Sequence, residues 1–190
     1  AIDTPCGESR PGCAMPLLAG LRLGVADNFF WESLDPGIGE SVSAAIDQLA
    51  RAGAHVVRLR VPHCDEVYDI FRQGGLAASE LAAFMNMEFP ERIARLDPVV
   101  RARVAAAEQV SSVEYLRRKQ VLLDSARQAT AVFADVDALL APTVAVTPPL
   151  LGDIADGTAY ARANMMALRN TVIGNLFGWC ALTLPVGFDA

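Results

Sequence analysis

Residues 21–61 read LRLGVADNFFWESLDPGIGESVSAAIDQLARAGAHVVRLRV and contain three consecutive elements. The short alternating run 21–25 predicts a strand, and residues 55–61 predict a second strand. Between the two strands, apolar residues recur at helical spacing on one face: Ile38, Val42, Ala45, Ile46 and Leu49. A strand, a helix and a strand within about 40 residues indicate a βαβ unit, in which the two strands are parallel and the crossover is right-handed.

Turn-forming residues bound this helix at both ends. Asp35 precedes Pro36, and an Asp side chain followed by proline at the first helical position predicts a helix start. Gly53 follows the last apolar position and predicts a left-handed residue that ends the helix.

The sequence after this unit is helical from residue 64 to residue 134, and the last of its three or four helices spans about 112–133. Breaks in the helical pattern are expected where glycine or proline interrupts it: near 74–75, 89–90 and 97–98. A buried strand is expected at 137–143. Thr158 is expected to cap a helix that runs to about residue 177, and an apolar strand is expected at 181–186.

These elements define an α/β fold, namely part of a mixed, largely parallel sheet flanked by helices, with a helical insertion. Residues 1–20 are interpreted as a linker because turn-forming residues are frequent there: Pro5, Gly7, Pro11, Gly12 and Pro16. Residues 21–190 are interpreted as an α/β domain, in which residues 64–134 form a helical region.

Composition narrows the classes of function. The chain has 190 residues, 53% of them hydrophobic, and a formal net charge of −6. An acidic chain without a separate basic cluster is not expected to bind nucleic acid. The most apolar stretch, 163–188, carries Arg169 and three asparagines, which exclude a membrane span there. Because we see no signal peptide, we expect a cytoplasmic protein.

Few residues are available for local catalytic chemistry. The chain has two histidines, His55 and His63, and one lysine, Lys119. Its four cysteines have neither the paired spacing of zinc sites nor the density of a disulfide scaffold. We therefore expect no metal and no cofactor, and local motifs supply no complete set of a nucleophile and a base.

Several segments, taken in order, resemble the amidase signature family. They are LAGLRLGV at 18–25, DVDALLAPT at 135–143 and RNTVIGNLFGWCALTLPVG at 169–187. The last segment matches the family pattern T-x-x-x-N-x-x-G-x-P-x-x-x-x-P-x-G at most of its fixed positions: Thr171, Asn175, Gly178, Pro185 and Gly187. It departs from the pattern at Cys180, where the family usually has proline.

The resemblance implies an enzyme that hydrolyses a carboxamide C–N bond with a Ser–cis-Ser–Lys triad and without a cofactor. In the family the lysine and the Gly/Ser-rich segment with both serines precede the portion matched here. The chain is thus expected to be a middle-to-late portion of an amidase and to be inactive alone. The whole enzyme is expected to act on a small-molecule amide, and a homodimer is possible.

The resemblance further implies that residues 21–190 are a partial, amidase-like α/β domain and that residues 64–134 are its helical, substrate-side region. It also suggests individual substrate-side residues. Thr143 at the end of a strand, and Asn175 and Trp179 near the turn from helix to strand, are the candidates for shaping the acyl side of a pocket. Tyr68 and Glu80 in the helical stretch are weaker candidates for substrate preference. No residue of this chain is assigned to catalysis.

Two other interpretations remain open at this point. The chain could be a non-catalytic α/β binding or interaction module derived from the same fold. It could also be a small-molecule-binding domain of flavodoxin-like topology, which predicts a sheet closed within these 190 residues. A fragment of an amidase predicts unpaired strand edges and exposed apolar patches instead.

Overall fold

The structure, a computed structural model, describes residues 18–187. Within that range three strands form one parallel sheet: β1 (Arg22–Ala26), β2 (His55–Leu59) and β3 (Ala138–Leu140), in the order β2-β1-β3. The α/β class and the parallel βαβ unit are thereby confirmed. Nearly all of the expected linker lies outside the described residues.

Strand β1 occupies the centre of the sheet, and its packing depends on one glycine. Leu23 and Val25 are buried. A Cβ at Gly24 would lie 2.6 Å from a methyl of Leu59 and 3.0 Å from a methyl of Leu139, one on each neighbouring strand. Because side chains from both neighbours close over this position, a residue without a side chain fits here.

In the described part of the chain six α-helices accompany the sheet: α1 (Ile38–Arg51), α2 (Cys64–Arg72), α3 (Ala77–Glu88), α4 (Pro98–Ala107), α5 (Ser112–Thr130) and α6 (Gly157–Phe177). Short 3₁₀ helices occupy Pro90–Arg95, Ala131–Ala134 and Leu151–Ile154. None of the helices in the described range is both long and apolar enough to cross a membrane.

The main core forms where α2, α5 and α6 pack around the end of β1. Its members come from all four elements and the adjoining loops: Ala26, Phe29, Phe30, Val61, Cys64, Val67, Ile70, Leu122, Ala129, Val172, Ile173 and Phe177. Helices α3 and α4 form a separate small cluster of Ala82, Val104 and Ala107. Helix α1 contributes no buried residue to either cluster.

Two expected helix caps are wrong. Asp35 does not cap α1, which begins at Ile38 after Gly37; its carboxylate instead accepts from the backbone N–H and the hydroxyl of Thr147, at 2.8 and 2.9 Å. The cap of α6 is Asp156, which accepts from the N–H groups of Thr158 and Ala159 at 2.8 and 2.9 Å. Asp156 thus accepts from N–H groups at the start of α6 that have no partner within the helix, whereas two donors of Thr147 hold the Asp35 carboxylate away from α1.

The strand expected at 181–186 is also wrong, because residues 181–187 have no regular secondary structure. Leu182 and Leu184 are 83% and 67% exposed. Apolar alternation predicts which residues favour a strand, but a strand forms only where a neighbouring strand supplies hydrogen bonds. Within residues 18–187 no strand pairs with this run.

Candidate functional site

The carboxyl ends of the three parallel strands meet at one edge of the sheet. The segments that leave this edge are 27–34 after β1, 60–63 after β2 and 141–147 after β3. Open α/β sheets place their ligand sites at this edge, because the loops there converge while the strands stay fixed. A functional site is therefore expected at this edge.

Asn28 fastens the first of these segments to the second. Its Nδ2 donates to the carbonyl of Val61 at 2.9 Å, and its Oδ1 accepts from the Val61 N–H at 2.9 Å. Beyond Leu59 the backbones of β1 and β2 no longer pair as strands. The Asn28 side-chain amide supplies two hydrogen bonds there and holds the two strand ends in register.

Arg169 of α6 lies beneath segment 27–34, where it is 6% exposed. Its Nη1 donates to the carbonyl of Phe29, its Nη2 donates to Glu32 Oε2 at 2.9 Å, and its guanidinium carbon lies 3.9 Å from the centre of the Phe29 ring. A buried cation is costly unless it is paired. Here a carboxylate, a carbonyl and an aromatic face compensate it together, so the arginine fixes the segment's shape.

Asn170, the next residue on α6, connects the first segment to the third. Its Nδ2 donates to the carbonyls of Phe30 and Pro142, both at 2.8 Å, and it is 4% exposed. These two positioning residues escaped sequence reasoning. A charged residue followed by asparagine inside the most apolar stretch of the chain was the signal that could have found them.

Trp31 lies in the same segment with its indole N–H buried. That N–H has no acceptor among the described residues, although the ring packs against the main core. A buried donor without a partner costs about 1–3 kcal/mol. The segment is therefore held at Phe29, Phe30 and Glu32, while the Trp31 indole N–H has no acceptor among residues 18–187.

Thr143 stands where the third segment leaves β3. Its Oγ1 lies 3.4 Å from Thr183 Oγ1. Both hydroxyls line a groove of about 710 Å³ between β3, the run 182–187 and one face of α1. Thr143 thus contributes a polar atom to a largely apolar groove, which is the kind of wall that binds small organic molecules.

Asn175 and Trp179 lie at the other end of α6 from Asp156. Asn175 is exposed, and its carbonyl accepts from the N–H of Gly178 at 3.2 Å. Trp179 is half-buried; its Nε1 donates to Thr130 Oγ1 at 2.9 Å and its ring meets Phe133 edge-on, with centroids 5.0 Å apart. The contacts seen for Trp179 join the end of α6 to the end of α5.

The two weaker candidates have partners within the protein. The Tyr68 hydroxyl donates to the carbonyl of Met165 at 3.3 Å, and its ring meets Phe29 edge-on at 5.3 Å. Glu80 accepts from the hydroxyl of Tyr115 at 2.9 Å, and that hydrogen bond raises the pKa of Tyr115. Tyr68 therefore lies beside the carboxyl-edge segments, whereas Glu80 joins α3 to α5.

The remaining chemically capable side chains form no reactive pair within the described range. Burial raises the pKa of the Cys64 thiol to about 12, so it stays protonated and a poor nucleophile. His63 is held by Glu66 at 3.1 Å and by Gln128 at 3.0 Å. Lys119 is exposed on α5. Residues 18–187 contain no group of three or more His, Cys, Asp or Glu that is placed to hold a metal ion.

The fold and the sequence together define the class of protein. A model of the family described as Amidase matches residues 14–190. The chain therefore belongs to the amidase signature family, as the motifs at 135–143 and 169–187 indicated.

Relatives within the family are similar along the whole chain. A 2-amino-5-chloromuconic acid deaminase from Comamonas testosteroni is 58% identical over 190 residues, which is 100% of this chain and 41% of the deaminase. An amidase from Pseudomonas putida is 31% identical over 193 residues, again 100% of this chain and 41% of that protein. The chain thus spans about two fifths of the length of these relatives.

Solved structures share the fold. An allophanate hydrolase from Kluyveromyces lactis superposes with a TM-score of 0.72 at 18% identity, over 88% of this chain and 27% of that chain. A bacterial aryl acylamidase gives a TM-score of 0.56 at 20% identity, over 70% of this chain and 29% of the acylamidase. At these identities the likeness concerns the arrangement of elements alone.

Proposed function

We propose that this chain is the substrate-side part of a longer amidase-family enzyme that uses water to break a C–N bond and release ammonia. The observation that carries the proposal is the 58% identity, along the entire chain, with a 2-amino-5-chloromuconic acid deaminase. The substrate class that follows is a small organic acid bearing an amino or amide nitrogen. In either case the nitrogen leaves as ammonia and a water oxygen takes its place on carbon.

In this proposal, the catalytic groups lie in a part of the longer enzyme that corresponds to the portion of the relatives with which this chain does not align. A Ser–cis-Ser–Lys triad supplies the nucleophile and its base there, because a neutral serine needs such activation at pH 7. The described residues of this chain support that division, since Lys119 is exposed and Cys64 is held protonated. The 190-residue chain alone is accordingly proposed to be inactive.

The contribution of this chain is the wall of the substrate pocket. Thr143 offers a hydroxyl in the groove beside β3, and Asn175 and Trp179 are proposed to shape the acyl side. The helical region 64–134 is proposed to set substrate preference, with Tyr68 beside the carboxyl-edge segments. The whole enzyme is proposed to be cytoplasmic and to form a homodimer.

Ammonia release tests the proposal. The full-length polypeptide is assayed with 2-amino-5-chloromuconic acid, with its unchlorinated analogue and with benzamide. Release of ammonia from 2-amino-5-chloromuconic acid or from its unchlorinated analogue supports the proposed substrate class. Release from benzamide alone overturns that class while retaining amide hydrolysis, and release from none of the three overturns the enzymatic function.

A matched pair of variants tests the role of Thr143. Thr143→Val removes the groove hydroxyl, and Ser43→Ala removes a hydroxyl from an exposed position of α1 that does not line the groove. We expect kcat/KM to fall about 10-fold or more for Thr143→Val, as for the loss of one substrate hydrogen bond, and to stay unchanged for Ser43→Ala. Equal values for the two variants contradict the role.

A further inference from the structure

Helix α5 has apolar residues on two of its faces. The inner face is buried, and Leu122 and Ala129 on that face belong to the main core. On the outer face Val113, Leu116 and Leu123 are 76%, 62% and 52% exposed. A helix at a protein surface normally carries one apolar stripe, which faces the core. Contact with the core therefore does not account for the outer stripe of α5.

The outer stripe has the spacing of a helix–helix contact. Four uncharged, exposed residues follow one another at intervals of three, four and three positions: Val113, Leu116, Gln120 and Leu123. Intervals of three and four alternate at the positions through which two paired helices contact each other. A single polar residue at such a position fixes the register of the pair, and Gln120 occupies it here. The stripe is therefore suited to a second helix.

The charged residues beside the stripe indicate which helix fits. Glu114 and Arg117 precede Gln120, and Asp124 and Arg127 follow it at nearly matching distances along the chain. In an antiparallel pair of α5 helices centred near Gln120, each Glu114 faces the Arg127 of the other copy. Each Arg117 likewise faces an Asp124, because a two-fold axis repeats every contact. A parallel pair places each charge beside its own kind, which is unfavourable.

The uncharged residues of the stripe fit the same antiparallel arrangement. Leu116 of one copy meets Leu123 of the other, on both sides of the axis. The two Gln120 side chains meet at the axis, where an amide offers both donors and an acceptor. The outer face of α5 is thus complementary to a second copy of itself in charge and in apolar contact.

Helix α3 extends this surface. Its Glu80 accepts a hydrogen bond from Tyr115 of α5 at 2.9 Å, and it carries three exposed apolar side chains, Leu81, Phe84 and Met87. A helix of 19 residues is about 28 Å long and about 10 Å wide. One face of α5 is therefore smaller than the roughly 800 Å² that a partner contributes to a specific interface, and α3 supplies further apolar area.

We propose that the outer stripe of α5, together with the exposed apolar residues of α3, is the interface between two copies of this chain, with the two α5 helices antiparallel. The proposal assigns a surface to the homodimer and rests on that part of the proposed function. It depends neither on the reaction nor on the substrate.

Sedimentation velocity of the full-length polypeptide over a range of concentrations tests the interface. Leu116→Glu places a carboxylate in the stripe, and Leu151→Glu makes the same change at an 85% exposed leucine outside it. We expect the dimer dissociation constant to rise about 100-fold or more for Leu116→Glu, because the interface then buries two carboxylates without partners. For Leu151→Glu we expect a change of less than about 3-fold.

A monomeric wild-type polypeptide overturns both the homodimer and this interface. A dimer whose dissociation constant is the same in Leu116→Glu overturns the interface alone. Circular dichroism shows whether each variant folds. If Leu116→Glu fails to fold while Leu151→Glu folds, another part of the polypeptide covers the stripe, and the interface is overturned as well.

Cross-linking tests the orientation of the two helices. Gln120→Cys and Val113→Cys are each treated with a short bis-maleimide, and the linked peptides are identified by mass spectrometry. In the antiparallel pair the two thiols at position 120 lie near the axis, whereas those at position 113 are about 20 Å apart along the helices. We expect a link at position 120 alone. Links at both positions overturn the antiparallel orientation, and no link at either position overturns the interface.

Discussion

Arg169 and Asn170 connect parts of the chain that are far apart in sequence. Each forms a hydrogen bond with a residue 140 positions earlier, Arg169 with Phe29 and Asn170 with Phe30. Through Pro142, Asn170 also reaches the end of β3. These two side chains therefore connect the segments that leave the carboxyl edge of the sheet.

Asn170→Ala is expected to lower the free energy of unfolding by about 2–3 kcal/mol, because it removes two hydrogen bonds and leaves two buried carbonyls without a donor. Asn175→Ala, at an exposed position of the same helix, is expected to change it by less than about 0.5 kcal/mol. Urea denaturation followed by circular dichroism measures both variants. A small effect of Asn170→Ala would show that α6 does not tie the two segments together.

Replacing tryptophan by phenylalanine is expected to affect stability less at Trp31 than at Trp179. Trp31→Phe removes a donor that has no acceptor in the described range, so the loss of ring area is partly offset and stability is expected to change by about 1 kcal/mol or less. Trp179→Phe removes the hydrogen bond from the indole N–H to Thr130 and is expected to lower the free energy of unfolding by about 1–2 kcal/mol. Thermal and urea unfolding compare the two variants, and the reverse order would refute the assignment of Trp31 as unsatisfied.

Among the elements, strand β1 has a glycine, Gly24, where its two neighbouring strands come close. Gly24→Ala is expected to destabilise the chain by about 1–3 kcal/mol, because its Cβ would meet the Leu59 and Leu139 side chains on the neighbouring strands. Gly174→Ala in α6 meets no atom within 4 Å and is expected to stabilise the chain by up to about 1 kcal/mol through helix propensity. Urea midpoints measure both, and two changes of the same sign would contradict this packing.

Sequence patterns predicted the helices and strands well where the signal is local. The apolar spacing of α1 and the alternation of β1 and β2 follow from residues a few positions apart. The same patterns missed the end of α5, where Ala131–Ala134 tightens into a 3₁₀ helix, and assigned a strand to 181–186. In the sequence, Asp35 followed by Pro36 predicts the start of α1. In the structure, the Asp35 carboxylate accepts a hydrogen bond from Thr147, which lies 112 residues later in the chain.

At the scale of the molecule, surface carboxylates paired with arginine give the stability a dependence on acid pH. Hydrogen bonds from Arg117 and Arg118 lower the pKa of Glu114 from 4.5 to about 2. Hydrogen bonds from Gln120 and Arg127 lower the pKa of Asp124, and hydrogen bonds from the Arg22 side chain and backbone lower that of Asp137. The folded state therefore holds these carboxylates ionised at pH values where the unfolded chain binds protons.

The sign of the effect follows from linkage. A lowered pKa contributes stability above pH 4.5, and that contribution is lost as the pH falls from about 4.5 towards 2. Glu114→Gln is expected to flatten the fall in the urea midpoint across this interval and to leave the curve between about pH 6 and 8 unchanged in shape. An unaltered acid slope would show that Glu114 ionises alike in the folded and unfolded states.

The sequence by itself determined the α/β class, the parallel βαβ unit and membership of the amidase family, because periodicity and ordered motifs depend on neighbours along the chain. The family resemblance together with its place after an apolar strand also predicts Thr143 as a pocket residue, and that role stays a prediction. Only the tertiary structure decided that Arg169 and Asn170 connect the segments at the carboxyl edge and that the apolar face of α1 lines a groove beside β3. Those outcomes depend on which buried donors meet acceptors and which surfaces meet in space, and residues 140 positions apart leave no periodic trace of such contacts.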